Sequence, residues 1–231
     1  MNSGHKVHQF VVVLATAALS ACGVSAQPRF YSLDSSAIPD GKAAVQAAVL
    51  VEPVSVPASV DQPQLVVQVA PNRVEVEEFD RWDAPLADSI ARAVAGDLSI
   101  LLATPNVATA PLANFNPAFT VTISVQRFQS VKDHLALIDA VWVVHKTTGK
   151  TRSGRTIAQE TLQSQGFDAL AVAHSQGLAK LSKDIAAAIS ADADEENLNS
   201  QSSVRQTSAE VEDKPRALDT GLPAGPGYSL K

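Results

Sequence analysis

Residues 119–144, "FTVTISVQRFQSVKDHLALIDAVWVV", decide the fold. In Phe119–Val125 apolar and hydroxyl residues alternate, the period of a strand with one buried and one wet face. Leu135–Val144 is apolar on both faces except at Asp139, which predicts a central strand covered on either side. Downstream, "HKTTGKT" turns the chain into a third strand, Arg152–Leu162. A helix then starts near Phe167. Leu170, His174, Leu178, Leu181, Ile185 and Ile189 trace its apolar stripe, while Asp168, Lys180, Lys183 and Asp184 lie mostly off it.

Upstream, "TPNVATAPLANFNP" (104–117) holds three prolines in fourteen residues and reads as a loop. It follows a second amphipathic helix. Asp83 is the expected N-cap, Pro85 fits the first turn, and Leu86, Ile90, Val94, Leu98 and Leu101 form one stripe. Gln64–Val69 and Arg73–Phe79 flank Ala70-Pro71-Asn72 as a hairpin, after a β-rich stretch at Gln46–Val56. Val74 and Val76 alternate with Glu75 and Glu77, which gives that strand one wet face. The order is three strands, helix, three strands, helix. It predicts a single α+β domain over 46–190, a mostly antiparallel sheet with both helices packed on one face.

The ends read differently. Residues 22–45 are a tether with a short apolar insert, Phe30-Tyr31-Ser32-Leu33. Residues 191–231 carry eight acids, four bases and few large apolar groups. Such a segment buries too little to offset chain entropy and is expected to be a disordered acidic tail, with a partner-binding peptide as the alternative.

The chain begins with one lysine, Lys6, then twelve mainly apolar residues from Phe10 to Ala21. This run is shorter than the roughly 20 residues a spanning helix needs and has the layout of a secretory signal, residues 1–21. Its end, Leu19-Ser20-Ala21-Cys22, resembles the lipobox of bacterial lipoproteins, in which the cysteine becomes the acylated mature N-terminus. The competing reading is an ordinary cleaved signal with Cys22 incidental. Two or more acyl chains anchor a protein stably without a spanning helix. Gly23 stands where Asp would retain an enteric lipoprotein at the inner membrane, so the resemblance implies the periplasmic face of the outer membrane.

Removing residues 1–21 leaves 17 Lys+Arg against 24 Asp+Glu, a net charge near −7 with no basic cluster for nucleic acid or anionic headgroups. With Cys22 acylated no thiol remains for a disulfide, so the core alone holds the fold. His5 and His8 leave with the signal. His134 and His145 flank a strand and lack a third zinc ligand at suitable spacing; His174 reads as a hydrogen-bonded core residue. No nucleophile elbow, phosphate loop or His-Glu-x-x-His occurs, so no catalytic, cofactor or metal residue is assigned. Trp142 reads as core. Trp82, just outside a helix start, reads as a hydrophobic staple on Leu86 or as a partner contact, and Phe115 in the 104–118 loop is a second contact candidate.

These pieces occur in a familiar succession. A lipobox cysteine, Phe30-Tyr31-Ser32-Leu33, the helix opening Trp82-x-x-Pro85-Leu86, a strand ending in Phe128, a strand holding Trp142 and a long closing helix together resemble the ABC-type transport auxiliary lipoproteins, the paraquat-inducible protein C family. The resemblance covers about residues 19–190 and implies a role without a reaction. It implies an oligomeric outer-membrane component working with an MCE-domain protein and its ABC permease and ATPase in intermembrane lipid transport. A direct lipid-binding carrier and a stand-alone envelope lipoprotein are the alternatives.

Overall fold

The computed structural model describes residues 26–39, 41, 44–45 and 47–212. The signal segment, Cys22 and residues 213–231 lie outside the described residues. The elements run β1 (Arg29–Tyr31), β2 (Val49–Ser55), β3 (Gln64–Ala70), β4 (Arg73–Trp82), α1 (Leu86–Leu101), β5 (Val107–Ala108), β6 (Phe119–Val131), β7 (Leu135–Lys146), β8 (Thr151–Thr161) and α2 (Phe167–Glu212). Among the described residues no helix is long and apolar enough to cross a membrane.

The fold is α+β, and its spine is β6. One edge of β6 pairs with β7 in antiparallel register from Phe119↔Lys146 to Val131↔Leu135, and β8 closes that side. The other edge is shared. Phe119–Ser124 takes β2 in parallel, and Ser130–Val131 takes β3 in parallel. β5 continues from β2, while β4 and then β1 continue from β3. The sheet is therefore mixed and not mostly antiparallel: four of its seven pairings are parallel. Parallel pairing arises because chain from beyond α1 returns between strands formed before it, which requires a crossover. β7 lies between two neighbours, as its two-sided apolar pattern predicts.

Both stripes close on the sheet. Leu86, Ile90, Val94, Leu98 and Leu101 of α1 are buried, as are Leu170, His174, Leu178, Leu181, Ile185 and Ile189 of α2. They meet Val121, Ile123, Ile138, Ala140 and Val144 from β6 and β7 in one core. Gly177 brings α2 close to β7; a Cβ there would lie 3.1 Å from Ile138 Cδ1. Pro53, which has no N–H to donate, falls where the β2–β6 register shifts between Val51 and Val54.

Four local expectations are corrected. Asp83 does not cap α1; Pro85 holds the N-cap position and no side chain caps it. The tether ends early, because β1 adds to β4 and residues 31–37 dock on the helices. Val74 and Val76 do not face the core; they are exposed on β4. Finally, α2 runs to Glu212, so the expected disordered tail is helical from 191 to 212. Its acids find cations on the β7–β8 turn: Lys150 Nζ lies 2.8 Å and Arg152 Nε 2.6 Å from Asp192 Oδ1, and Arg152 Nη2 is 2.7 Å from Glu195 Oε1.

Trp142 is core, and its indole sets the sequence of β8. Its Nε1–H donates to Thr156 Oγ1 at 3.1 Å, and Thr156 Oγ1 donates to Asp184 Oδ2 at 2.5 Å, joining β7, β8 and α2. The ring lies over Gly154, where any Cβ would collide with it. Gly154→Ala should therefore destabilise the fold by about 1–3 kcal/mol, the usual effect of overpacking, as read by denaturant unfolding.

Candidate functional site

Two buried carboxylates fasten the chain that leads from the N-terminus to the body. The first is Asp97, fully buried on α1. Its Oδ1 accepts the N–H of Ser36 (2.9 Å), the N–H of Ala37 (2.9 Å) and Ser35 Oγ–H (2.8 Å). Its Oδ2 accepts Ser182 Oγ–H from α2 at 3.0 Å. Ser175 of α2 adds two bonds, its Oγ accepting Asp34 N–H at 3.1 Å and its carbonyl accepting Ser36 Oγ–H at 3.0 Å. Gly96 allows this approach, since a Cβ there would sit 2.9 Å from Ser35 Cβ.

The second is Asp80 on β4. Arg29 binds it through both Nε and Nη2 at 2.8 Å, and Tyr31 O–H donates to Oδ1 at 2.7 Å. Burial pushes the Asp80 carboxyl up, but the bonds from Arg29 and Tyr31 outweigh it and hold the group below its ordinary range. Burial, with the bond to Asp80, raises the Tyr31 phenol to about 12. The aromatic ring of Tyr31 packs edge-on to Phe167 at the start of α2. β1 is thus pinned at both ends of its face.

A third polar centre sits on the sheet face turned away from the helices. Asp139 is bound in a bidentate pair by Arg155, Nε to Oδ1 at 2.8 Å and Nη2 to Oδ2 at 2.7 Å, with Arg127 Nε at 3.4 Å on the other side. The Arg155 bonds hold its carboxyl below the usual range. This ties β6, β7 and β8 together and explains the one charge in an apolar strand. Two grooves open at the surface. One, of about 370 Å³, runs between residues 30–36 and the first turns of α2, lined by Phe30, Asp34, Asp168, Val172 and Gln176. The other, of about 270 Å³, lies over β3, β4 and β6, lined by Val60, Val66, Val74, Arg127 and Gln129.

The sequence candidates separate on this frame. Trp82 is only 5 % exposed, packed edge-on to Phe128 and His174, so it is a core residue and presents no surface to a partner. Phe115 is half-buried in its loop. His134 and His145 are exposed at opposite ends of β7, about 35 Å apart at a strand's rise per residue, and do not form a pair. His174 is fully buried, stacked 3.9 Å from the Phe128 ring, with Nε2 2.9 Å from Ser130 Oγ. Among the described residues no His, Asp and Glu side chains gather as metal ligands. The sequence reading missed Asp97 and Asp80. Asp97 stands among the buried Val94, Leu98 and Leu101 of α1, a signal that was present; Asp80 stands between the exposed Phe79 and the half-buried Arg81 and carries no such signal.

The model of the ABC-type transport auxiliary lipoprotein component matches residues 31–186, from the docked N-terminal strand to the buried part of α2. The chain belongs to this family. A crystal structure of an uncharacterised protein, 22 % identical, superposes with a TM-score of 0.59 over 71 % of this chain and 99 % of that one. A Xanthomonas campestris protein assigned to DUF330 gives 0.58 at 18 % identity, over 75 % of this chain and 99 % of its own. These two likenesses concern the fold. No curated protein matches the sequence. An auxiliary lipoprotein of a transporter is an envelope component, and the family carries no reaction in its name.

Two outcomes follow from the buried groups. Asp97→Ala leaves the part-buried N–H groups of Ser36 and Ala37 and the Ser35 hydroxyl without their acceptor, while Ser182 keeps the Leu178 carbonyl. It should therefore cost about 1–3 kcal/mol in denaturant unfolding and speed amide exchange at Ser36 and Ala37. Burial drives the His174 imidazole from 6.5 down to about 3, so between those values the unfolded chain takes up a proton that the folded one refuses. Stability is complete above pH 6.5 and should fall by about 2 kcal/mol between pH 7 and pH 5, a dependence that His174→Gln removes.

Proposed function

We propose that this lipoprotein is the outer-membrane docking component of an MCE/ABC-type intermembrane lipid transport system. It is held at the periplasmic face by acyl chains on Cys22, works as a homo-oligomer and catalyses no reaction. The observation that carries the reading is the fastening of residues 29–37 to the body through Asp80 and Asp97, most of it within the family match at 31–186. In an anchored protein that dock receives any pull between the membrane and a bound transporter. The ionic and hydrogen bonds spread such a load over β4, α1 and α2, where a free tether would pass it to one point.

The partner-facing surface in this reading is the far side of the sheet. β8 pairs only with β7 among the described strands, and Ile157 (59 % exposed) and Val141 stand on the outer face beside Arg155. A long open edge with apolar side chains beside it suits strand addition by a second copy or by the transporter. The interior favours docking over carriage: Phe119, Ile123, Ile138, Leu178 and Ile185 fill the space between sheet and helices.

Affinity-tagged lipoprotein, solubilised in mild detergent, should retain an MCE-domain protein with its permease and ATPase in fixed stoichiometry. Recovery of the lipoprotein alone under conditions that keep the transporter intact would remove the proposal.

A further inference from the structure

β4 carries an apolar strip that the core does not use. Val74 (61 % exposed), Val76 (54 %) and Phe79 (43 %) project from it into solvent, and Phe30 (61 %) stands beside them on β1. Phe30 is registered with Arg81, two residues beyond Phe79, so the two aromatic rings share one face of the sheet edge. From Val74 to Arg81 the strip spans about 23 Å. Soluble surfaces place large apolar groups singly, and a row of them marks an interaction surface.

The occupant follows from covalent geometry. Only six residues lie between Cys22 and Arg29, seven Cα steps with a reach of at most about 25 Å. Arg29 is not free to swing, because its Nε and Nη2 hold Asp80 and residues 35–37 are fixed to Asp97. An acyl chain on Cys22 therefore draws the bilayer to the β1–β4 edge, where the strip begins. The edge also meets anionic headgroups without strong repulsion, since three of the four β4 acids are held by cations: Glu75 by Arg73 (3.8 Å), Glu77 by Lys132 (3.2 Å) and Asp80 by Arg29 (2.8 Å). Exposed phenylalanines flanked by arginines suit the headgroup–acyl boundary.

We infer that the Phe30–Val74–Val76–Phe79 strip lies on the bilayer that holds the Cys22 acyl chains. It sets which way the body faces. The inference rests on the anchored reading of Cys22 and adds a second, non-covalent membrane contact to it.

The test uses the lipoprotein as the cell processes it, with Cys22 as its one native cysteine. Val74→Cys, Phe79→Cys and, as the distant control, Ile157→Cys are each labelled with an environment-sensitive fluorophore. Each is then reconstituted into phosphatidylethanolamine–phosphatidylglycerol vesicles with and without nitroxide phospholipid. Quenching at Val74 and Phe79 about threefold or more above that at Ile157 is expected for side chains at the acyl boundary. Equal quenching at all three positions overturns the inference. So does shielding of Phe79 that grows with protein density and not with nitroxide lipid, which would give the strip to a second copy. Intact mass of the same samples separates the two readings. An acylated Cys22 with an unquenched strip sinks the strip alone, and an unmodified thiol sinks the anchor as well.

Discussion

The buried carboxylate of Asp97 makes residues 35–37 part of the folded body. A charge at this depth is tolerated only when its lone pairs are filled, and here two backbone amides, Ser35 and Ser182 fill them. The donors come from two places, residues 35–37 and α2, while the acceptor sits on α1. One side chain thus fixes the two helices against each other and lays the incoming chain across their junction. Asp80 repeats the device on β4, with Arg29 and Tyr31 as donors. The chain between the two carboxylates has no freedom to act as a leash.

The sheet supplies the rigid frame behind these clamps. Because β6 is thirteen residues long, it accepts β2 at one end and β3 at the other along the same edge, while β7 backs its whole length. Two half-sheets that share no ladder of their own are held in register by that single strand. The Arg127–Asp139–Arg155 group crosses from β6 to β8 on the outer face, and the Trp142–Thr156–Asp184 chain crosses from β7 through β8 to α2 on the inner face. The same three long strands are therefore tied on both sides.

What could be read in the sequence was whatever has a local period. The stripes of α1 and α2, the hairpin at Pro71-Asn72 and the two-sided β7 all write their burial into neighbouring residues, and each is found where the pattern put it. Parallel pairing leaves no such mark. Nothing near Val49 announces that it will lie beside Phe119, seventy residues on, so the mixed topology was illegible. β1 is three residues long, too short for any period. Val74 and Val76 misled because alternation records two faces without saying which is dry. Residues 191–212 misled in the other direction: their composition argues against an ordered segment, but they continue the helix, and Lys150 and Arg152 hold Asp192 and Glu195 near the start of that stretch. As for the site, the Asp97 clamp joins residues up to 85 positions apart, which no local pattern records.

With the proposed anchor on Cys22, the short link and the two clamps together set an orientation. A body on a loose tether of twenty residues would sample every attitude above the membrane, and a partner arriving from across the periplasm would meet its docking face only part of the time. A six-residue link and a docked β1 remove most of that freedom before any partner arrives, so less ordering entropy is lost on binding. With the β1–β4 edge toward the bilayer, β8 at the opposite end of the strand order points away from it. The open edge, with Ile157 and Val141 beside it, then lies on the side a periplasm-spanning transporter would reach. The proposed arrangement thus gives the sheet a polarity, membrane at one edge and partner at the other.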